Sequence, residues 1–217
     1  MVNLGSPDLK VESVTYNDLL DGNLPEANLE ESGCDRLRIK LFYPNRFRDA
    51  HFARLLQSDR LYGGPRFGDT INSFFDLTQS ILVSYYGNSI NFVNSVSGIK
   101  DSGDKREIFN RLKNCVPTPN RFCPTQLEDL LDIVSNGISL FVKVRFGGCG
   151  RAMSYLSPEG WYTNFLWDGQ AIRNRSLEGD TKWPFVEIPQ SQRKDFSREL
   201  MKYDSHFVFE QDLKPLL

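Results

Sequence analysis

The stretch from Ile138 to Gln170 constrains the fold more than any other part of the chain. Apolar and polar residues alternate there in three runs, which are separated by a glycine turn and by Ser-Pro-Glu-Gly. Alternation with a period of two, interrupted by turn residues, is typical of consecutive antiparallel strands. The stretch therefore predicts a sheet that organises the chain. It also orders six aromatic side chains for burial: Phe141, Phe146, Tyr155, Trp161, Phe165 and Trp167.

The same periodicities, with capping and turn residues, predict the other elements. The predicted helices begin at Asp49, at Asp69 or Thr70, at Asp104, at Thr125 and at Ser191. The predicted strands cover Leu9–Tyr16, Arg36–Tyr43, Ile90–Ser97, Trp183–Ile188 and His206–Glu210. Helices and strands in this order predict an α+β fold: a mainly antiparallel sheet of about five to seven strands with four or five packed helices.

Two boundaries follow from composition. Residues 1–35 are predicted to form an acidic N-terminal strand and connection, and residues 36–217 a single α+β domain. The connector 114–124 contains three prolines, so a subdomain break is possible there.

The chain carries no sequence signal for secretion, membrane insertion or metal binding. Because it has neither a signal-peptide pattern nor an apolar run long enough for a membrane span, we expect a soluble, cytoplasmic protein without membrane contact. In that compartment Cys34, Cys115, Cys123 and Cys149 are expected as free thiols. Two histidines and four cysteines without ligand spacing predict no metal site, and no motif predicts a cofactor.

Charge is distributed unevenly although the formal net charge is only −2. Residues 1–35 contain eight acids and one base, whereas residues 36–66 contain eight bases and two acids. The two segments can pair within the fold, or the basic one can face an anionic partner. The candidate binding residues are the arginines that interleave with aromatic residues: Arg46, Arg48, Arg54, Arg60 and Arg66.

Arginine and aromatic residues are enriched at protein interfaces and also at single-stranded nucleic-acid surfaces. With no convergent catalytic motif, the leading hypothesis is a non-enzymatic structural or regulatory subunit that contacts a protein partner or forms a homo-oligomer. The alternative is RNA or single-stranded DNA binding through the same segment.

Two glycine-rich turns suggest other functions. Gly147-Gly148-Cys149-Gly150 resembles the nucleophile turn of viral chymotrypsin-like cysteine proteases, and His51 lies upstream as in that family. The resemblance implies a hydrolase that uses Cys149 and His51, whereas the simpler interpretation is a hairpin turn with a small core residue. Residues 63–68 precede the helix predicted at Asp69 or Thr70, where a helix start could hold a phosphate or simply be capped.

Overall fold

The computed structural model describes residues 12–26, 36–42, 64–147, 152–173 and 184–213. The predicted α+β class is confirmed, since a six-stranded antiparallel sheet combines with six α-helices in this part of the chain. The helices are α1 (Tyr16–Leu20), α2 (Pro65–Tyr86), α3 (Val96–Gly103), α4 (Lys105–Leu112), α5 (Leu127–Ser135) and α6 (Arg193–Met201). The strands are β1 (Leu37–Ile39), β2 (Ile90–Phe92), β3 (Arg121–Phe122), β4 (Leu140–Val144), β5 (Met153–Leu156), β6 (Trp161–Thr163), β7 (Leu166–Trp167), β8 (Ile172–Arg173), β9 (Val186–Glu187) and β10 (Phe207–Gln211).

Contacts divide the chain into two units. The smaller consists of Met1–Asn45 with Asn72–Lys100, and the larger of Arg46–Ile71 with Asp101–Leu217. The domain boundary proposed at residue 35 and the subdomain break at 114–124 stay predictions.

The smaller unit contains a two-stranded parallel sheet of β1 and β2. The alternation predicted from residue 36 is confirmed over residues 36–42, where Leu41 is buried and Arg38 and Lys40 are exposed. The strand predicted over Leu9–Tyr16 is wrong at its described residues, because Thr15 caps α1 by accepting a hydrogen bond from the Asp18 amide.

Three helices begin elsewhere than predicted. Helix α6 begins at Arg193 with Gln192 as its N-cap, one residue after the predicted cap Ser191. Helix α2 begins at Pro65, so the predicted start at Asp69 or Thr70 is wrong, and Thr70 instead donates from Oγ1 to the Arg66 carbonyl within the helix. Proline is favoured in a first turn because its missing N–H has no helical partner there. Helix α5 uses Gln126 and Asp129 as its capping box, one residue after the predicted Thr125 and Glu128.

The larger unit is built on the six-stranded sheet, whose strand order is β3-β10-β4-β5-β6-β9. We call its apolar side the first face. The side chains of β4, β5, β6 and β10 that form it are all buried: Leu140, Val142, Val144, Leu156, Trp161, Phe207 and Phe209. Helices α5 and α6 add four buried side chains to the core of this unit: Leu130, Val134, Phe196 and Leu200.

Candidate interaction surface

The opposite side of the six-stranded sheet, here called the second face, carries a row of paired residues across all six strands. In strand order the row runs Arg121, Glu210, Phe141, Tyr155, Tyr162 and Glu187. Phe141 and Tyr155 are only partly buried, and Tyr162 is 37 % exposed. Their position follows from the pleat, because residues directly opposite one another in a ladder lie on the same face.

The aromatic side chains of the row pack against their neighbours. The ring centroids of Phe141 and Tyr155 are 5.0 Å apart, with the ring planes tilted by 43°. Tyr155 also donates from its hydroxyl to Asp212 Oδ2 at 3.2 Å. These contacts hold the two rings in a fixed position at the centre of the row.

Glu210 organises the charges at one end of the row. Its Oε1 accepts from Arg121 Nη2 at 2.6 Å, and its Oε2 accepts from Lys143 Nζ at 2.6 Å. Burial raises the pKa of the Glu210 carboxyl, but the hydrogen bonds from Lys143 and Arg121 outweigh burial and hold this pKa below its usual value. The carboxylate is therefore charged at neutral pH and lies between two cations.

Helix α4 lies at the same end of the sheet. The guanidinium of Arg121 stacks over the Phe109 ring, 4.2 Å from its centroid. Lys105 donates from Nζ to the carbonyls of Val144 at 2.8 Å and Gly147 at 2.5 Å. Burial lowers the pKa of Lys105 to about 8, against a smaller opposing effect of the Glu210 charge.

The start of α4 is anchored to the end of β4. Asp104 caps the helix by accepting from the Arg106 amide and is bound by Arg145, whose Nη2 lies 2.6 Å from its Oδ2. Burial raises the pKa of Asp104, but the hydrogen bonds from Arg145 and the helix amide lower it below its usual value. Because α4 is fixed at the Arg121 and Lys143 end, the aromatic row is left partly exposed between that end and β9.

Among the strands that the structure describes, β9 forms the other end of the sheet, where it pairs with β6. Its Val186 is 52 % exposed, and the preceding Phe185 is 45 % exposed. The edge strand predicted over Trp183–Ile188 is therefore confirmed at β9. An edge with exposed apolar side chains is a site where another strand can add.

The residues singled out in the sequence lie mostly elsewhere. Arg46, Arg48, Arg54 and Arg60 fall outside the described residues, and so do His51 and Cys149. Arg66 is described and exposed in the first turn of α2, so it stays a candidate contact residue. The helix start proposed as a phosphate site at Asp69 and Thr70 lies inside α2 and has no free amides to offer.

The sequence interpretation missed the second face because it assigned all six aromatic side chains to the core. Phe146, Trp161 and Phe165 are buried, whereas Phe141, Tyr155 and Trp167 are only partly buried. The signal was present in β4: Phe141 shares its phase with Lys143 and Arg145, opposite in phase to Leu140 and Val142. An aromatic residue in the polar phase of an alternating strand predicts an exposed ring.

Neither a metal-ion cluster nor a membrane-spanning helix is found in the part of the chain that the structure describes. No group of three or more His, Cys, Asp or Glu side chains is placed to hold a metal ion in these residues. None of the helices in the same residues combines the length and the apolar character that a membrane crossing requires. Compared with family models, curated proteins and solved structures, the chain matches none of them.

Proposed function

We propose that the chain is a non-catalytic subunit that works through protein–protein contacts, and that the six-stranded sheet makes the first of these with a second copy of the chain. The proposal rests on one observation: the aromatic row on the second face ends beside β9, an edge strand with exposed apolar side chains. Aromatic side chains supply much of the binding energy of protein interfaces at low entropic cost. The arginine-rich segment 36–66 stays a further predicted contact surface.

The charges of the second face favour a protein partner over a nucleic acid. Its cations Arg121 and Lys143 are both bound to Glu210, and Asp212 and Glu187 add two further carboxylates along the same face. A phosphate backbone needs a surplus of cations, which these residues do not provide. A second copy carries the same balanced set of charges and brings no such excess of negative charge.

Sedimentation equilibrium over a wide range of protein concentrations tests the proposal. The average mass should rise with concentration from 24.9 kDa towards twice that value. Tyr162→Ser should shift the rise to higher concentration, since it removes the exposed ring next to β9. Leu112→Ser, which removes an exposed apolar side chain from the end of α4, should leave it unchanged. A single mass of 24.9 kDa at every concentration would contradict the proposal.

A labelled oligouridine tests the nucleic-acid alternative on the same protein. We expect no change in its fluorescence anisotropy at low salt. Saturable binding that weakens with salt and with Tyr162→Ser would replace the proposed function with single-strand binding on the aromatic row.

A further inference from the structure

We infer that β9 pairs antiparallel with β9 of a second copy, with Phe185 opposite the partner's Glu187 and Val186 opposite the partner's Val186. The inference rests on the proposed self-association and specifies the element and the register that make it. The two six-stranded sheets would join into one continuous sheet across a twofold axis at Val186.

The backbone of β9 determines which residues can bind outward. The Ile188 amide donates to the Trp161 carbonyl at 2.8 Å, and the β6 register places Val186 opposite Thr163. Hydrogen-bonding groups alternate sides along a strand, so those of Ile188 and Val186 point to β6. The N–H and C=O groups of Phe185 and Glu187 therefore point away from the sheet.

Two outward residues, two positions apart, form a self-complementary pattern. In the inferred register Phe185 pairs with the partner's Glu187, and Glu187 pairs with the partner's Phe185. Both are hydrogen-bonded pairs. Proline at position 189, the next residue facing outward, has no N–H to donate, so the ladder ends after Glu187. Short edges bounded by proline are a common means of limiting uncontrolled strand addition.

A register shifted by two residues towards position 189 is unfavourable for two chemical reasons. That register would place Glu187 directly opposite the partner's Glu187, and like charges in this position destabilise a sheet. It would also pair Phe185 with the partner's Pro189, where a donor is missing. The inferred register avoids both and brings two exposed valine side chains together on the axis.

Val186→Lys tests the inferred contact by sedimentation equilibrium. The lysine would be solvated in the monomer, but the dimer would bring two ammonium groups together at the axis. We expect the dimer dissociation constant to rise by about tenfold or more, the range of effect that like-charge pairing has at interfaces. Val116→Lys is the matched control, because Val116 is a similarly exposed valine of the larger unit outside the sheet.

A cysteine pair tests the register itself. In Val186→Cys, with Cys34, Cys115, Cys123 and Cys149 all changed to serine, the two new cysteines would occupy a non-hydrogen-bonded pair. Their Cα atoms would lie about 4.5 Å apart, within disulfide range. Mild oxidation should give a dimer with a disulfide between the two copies of residue 186, identified by mass spectrometry. Val116→Cys in the same background should give little disulfide-linked dimer.

The outcomes separate this inference from the proposed function. If wild-type protein dimerises and Val186→Lys and Val186→Cys behave like their Val116 controls, the β9 pairing is wrong while self-association stands. If the protein is monomeric at every concentration, both are wrong. If Val186→Lys dissociates the dimer and Tyr162→Ser does not, the edge pairing stands without a contribution from the aromatic row.

Discussion

Replacing Glu210 with glutamine should destabilise the larger unit, because it removes the negative charge that lies between Arg121 and Lys143. Glu210 is 12 % exposed and lies 2.6 Å from both Arg121 and Lys143, which are 14 % and 33 % exposed. The Glu210→Gln side chain keeps its shape and one acceptor oxygen but loses the charge. Two adjacent cations then lack a counter-charge, and the nearby Lys105 loses the charge that favours its protonated form.

The size of the expected loss of stability follows from the intermediate burial of these ion pairs. Breaking a buried ion pair by removing one partner costs about 3–5 kcal/mol, and an exposed pair contributes about 0–1 kcal/mol. Arg121 is nearly buried and Lys143 is one-third exposed, so we expect Glu210→Gln to lower the free energy of unfolding by about 2–3 kcal/mol. In a chain of this length that loss lowers Tm by about 5–10 °C.

Urea unfolding followed by tryptophan fluorescence measures this loss of stability. The signal reports on the larger unit, because all three tryptophans lie in it. Glu128→Gln is the matched control: it makes the same change at an exposed position of α5 in the larger unit and should shift stability by less than about 0.5 kcal/mol. The pKa of Glu210 is lowered, so its stabilisation is present above pH 4.5 and is lost as the pH falls through the folded-state pKa. Equal unfolding midpoints of Glu210→Gln and Glu128→Gln at neutral pH would refute the reasoning.

Three further changes probe the packing of the larger unit. Gly68→Ala should destabilise it by about 1–3 kcal/mol in the same urea assay, because a Cβ there would lie 2.3 Å from the Phe146 ring. Asp104→Asn should cost about 2–4 kcal/mol, since it removes the charge that binds Arg145 from a buried site. Lys105→Met should flatten the rise in stability between pH 8 and 10.5, measured by urea unfolding across that range. In that window the folded state of the wild type, with the pKa of Lys105 lowered to about 8, binds fewer protons than the unfolded state, so its stability increases with pH.

Each of these changes has a result that would count against it. Asn110→Ala, at an exposed position of α4, gives the background for Gly68→Ala and Asp104→Asn and should change stability by less than about 0.5 kcal/mol. A Gly68→Ala protein as stable as Asn110→Ala would mean that the Phe146 ring moves aside freely. An Asp104→Asn protein as stable as Asn110→Ala would mean that Arg145 does not need the Asp104 charge. Parallel pH profiles of wild type and Lys105→Met would show that Lys105 is not desolvated.

Local patterns predicted most elements of the fold. The alternation in β4 and β5 and the short edge strand with Pro184 are decided by neighbours in sequence, and so is the Asp104 cap of α4. Helix starts were off by one residue at α5 and α6 and by four or more at α2, because capping residues compete and a proline can begin a helix without them.

The pairing of strands that are far apart in sequence could not be predicted from local patterns. Strand β10 comes last in the chain yet inserts between β3 and β4, and only this places Glu210 between Arg121 and Lys143. The charge cluster thus depends on residues about ninety positions apart that no local pattern connects. The exposed row was predictable in part, since Phe141 has the polar phase of β4, but its continuation through Tyr155 and Tyr162 needed the register.

Amide hydrogen exchange at Phe185 and Glu187, followed by NMR at increasing protein concentration, tests the β9 contact most directly. Both amides point away from β6 in the single chain, so they should exchange fast when the protein is dilute. They should become protected as concentration rises, whereas the Ile188 amide, already bonded to Trp161, should change little. Exchange at Phe185 and Glu187 that stays equally fast at every concentration would contradict strand pairing between two copies.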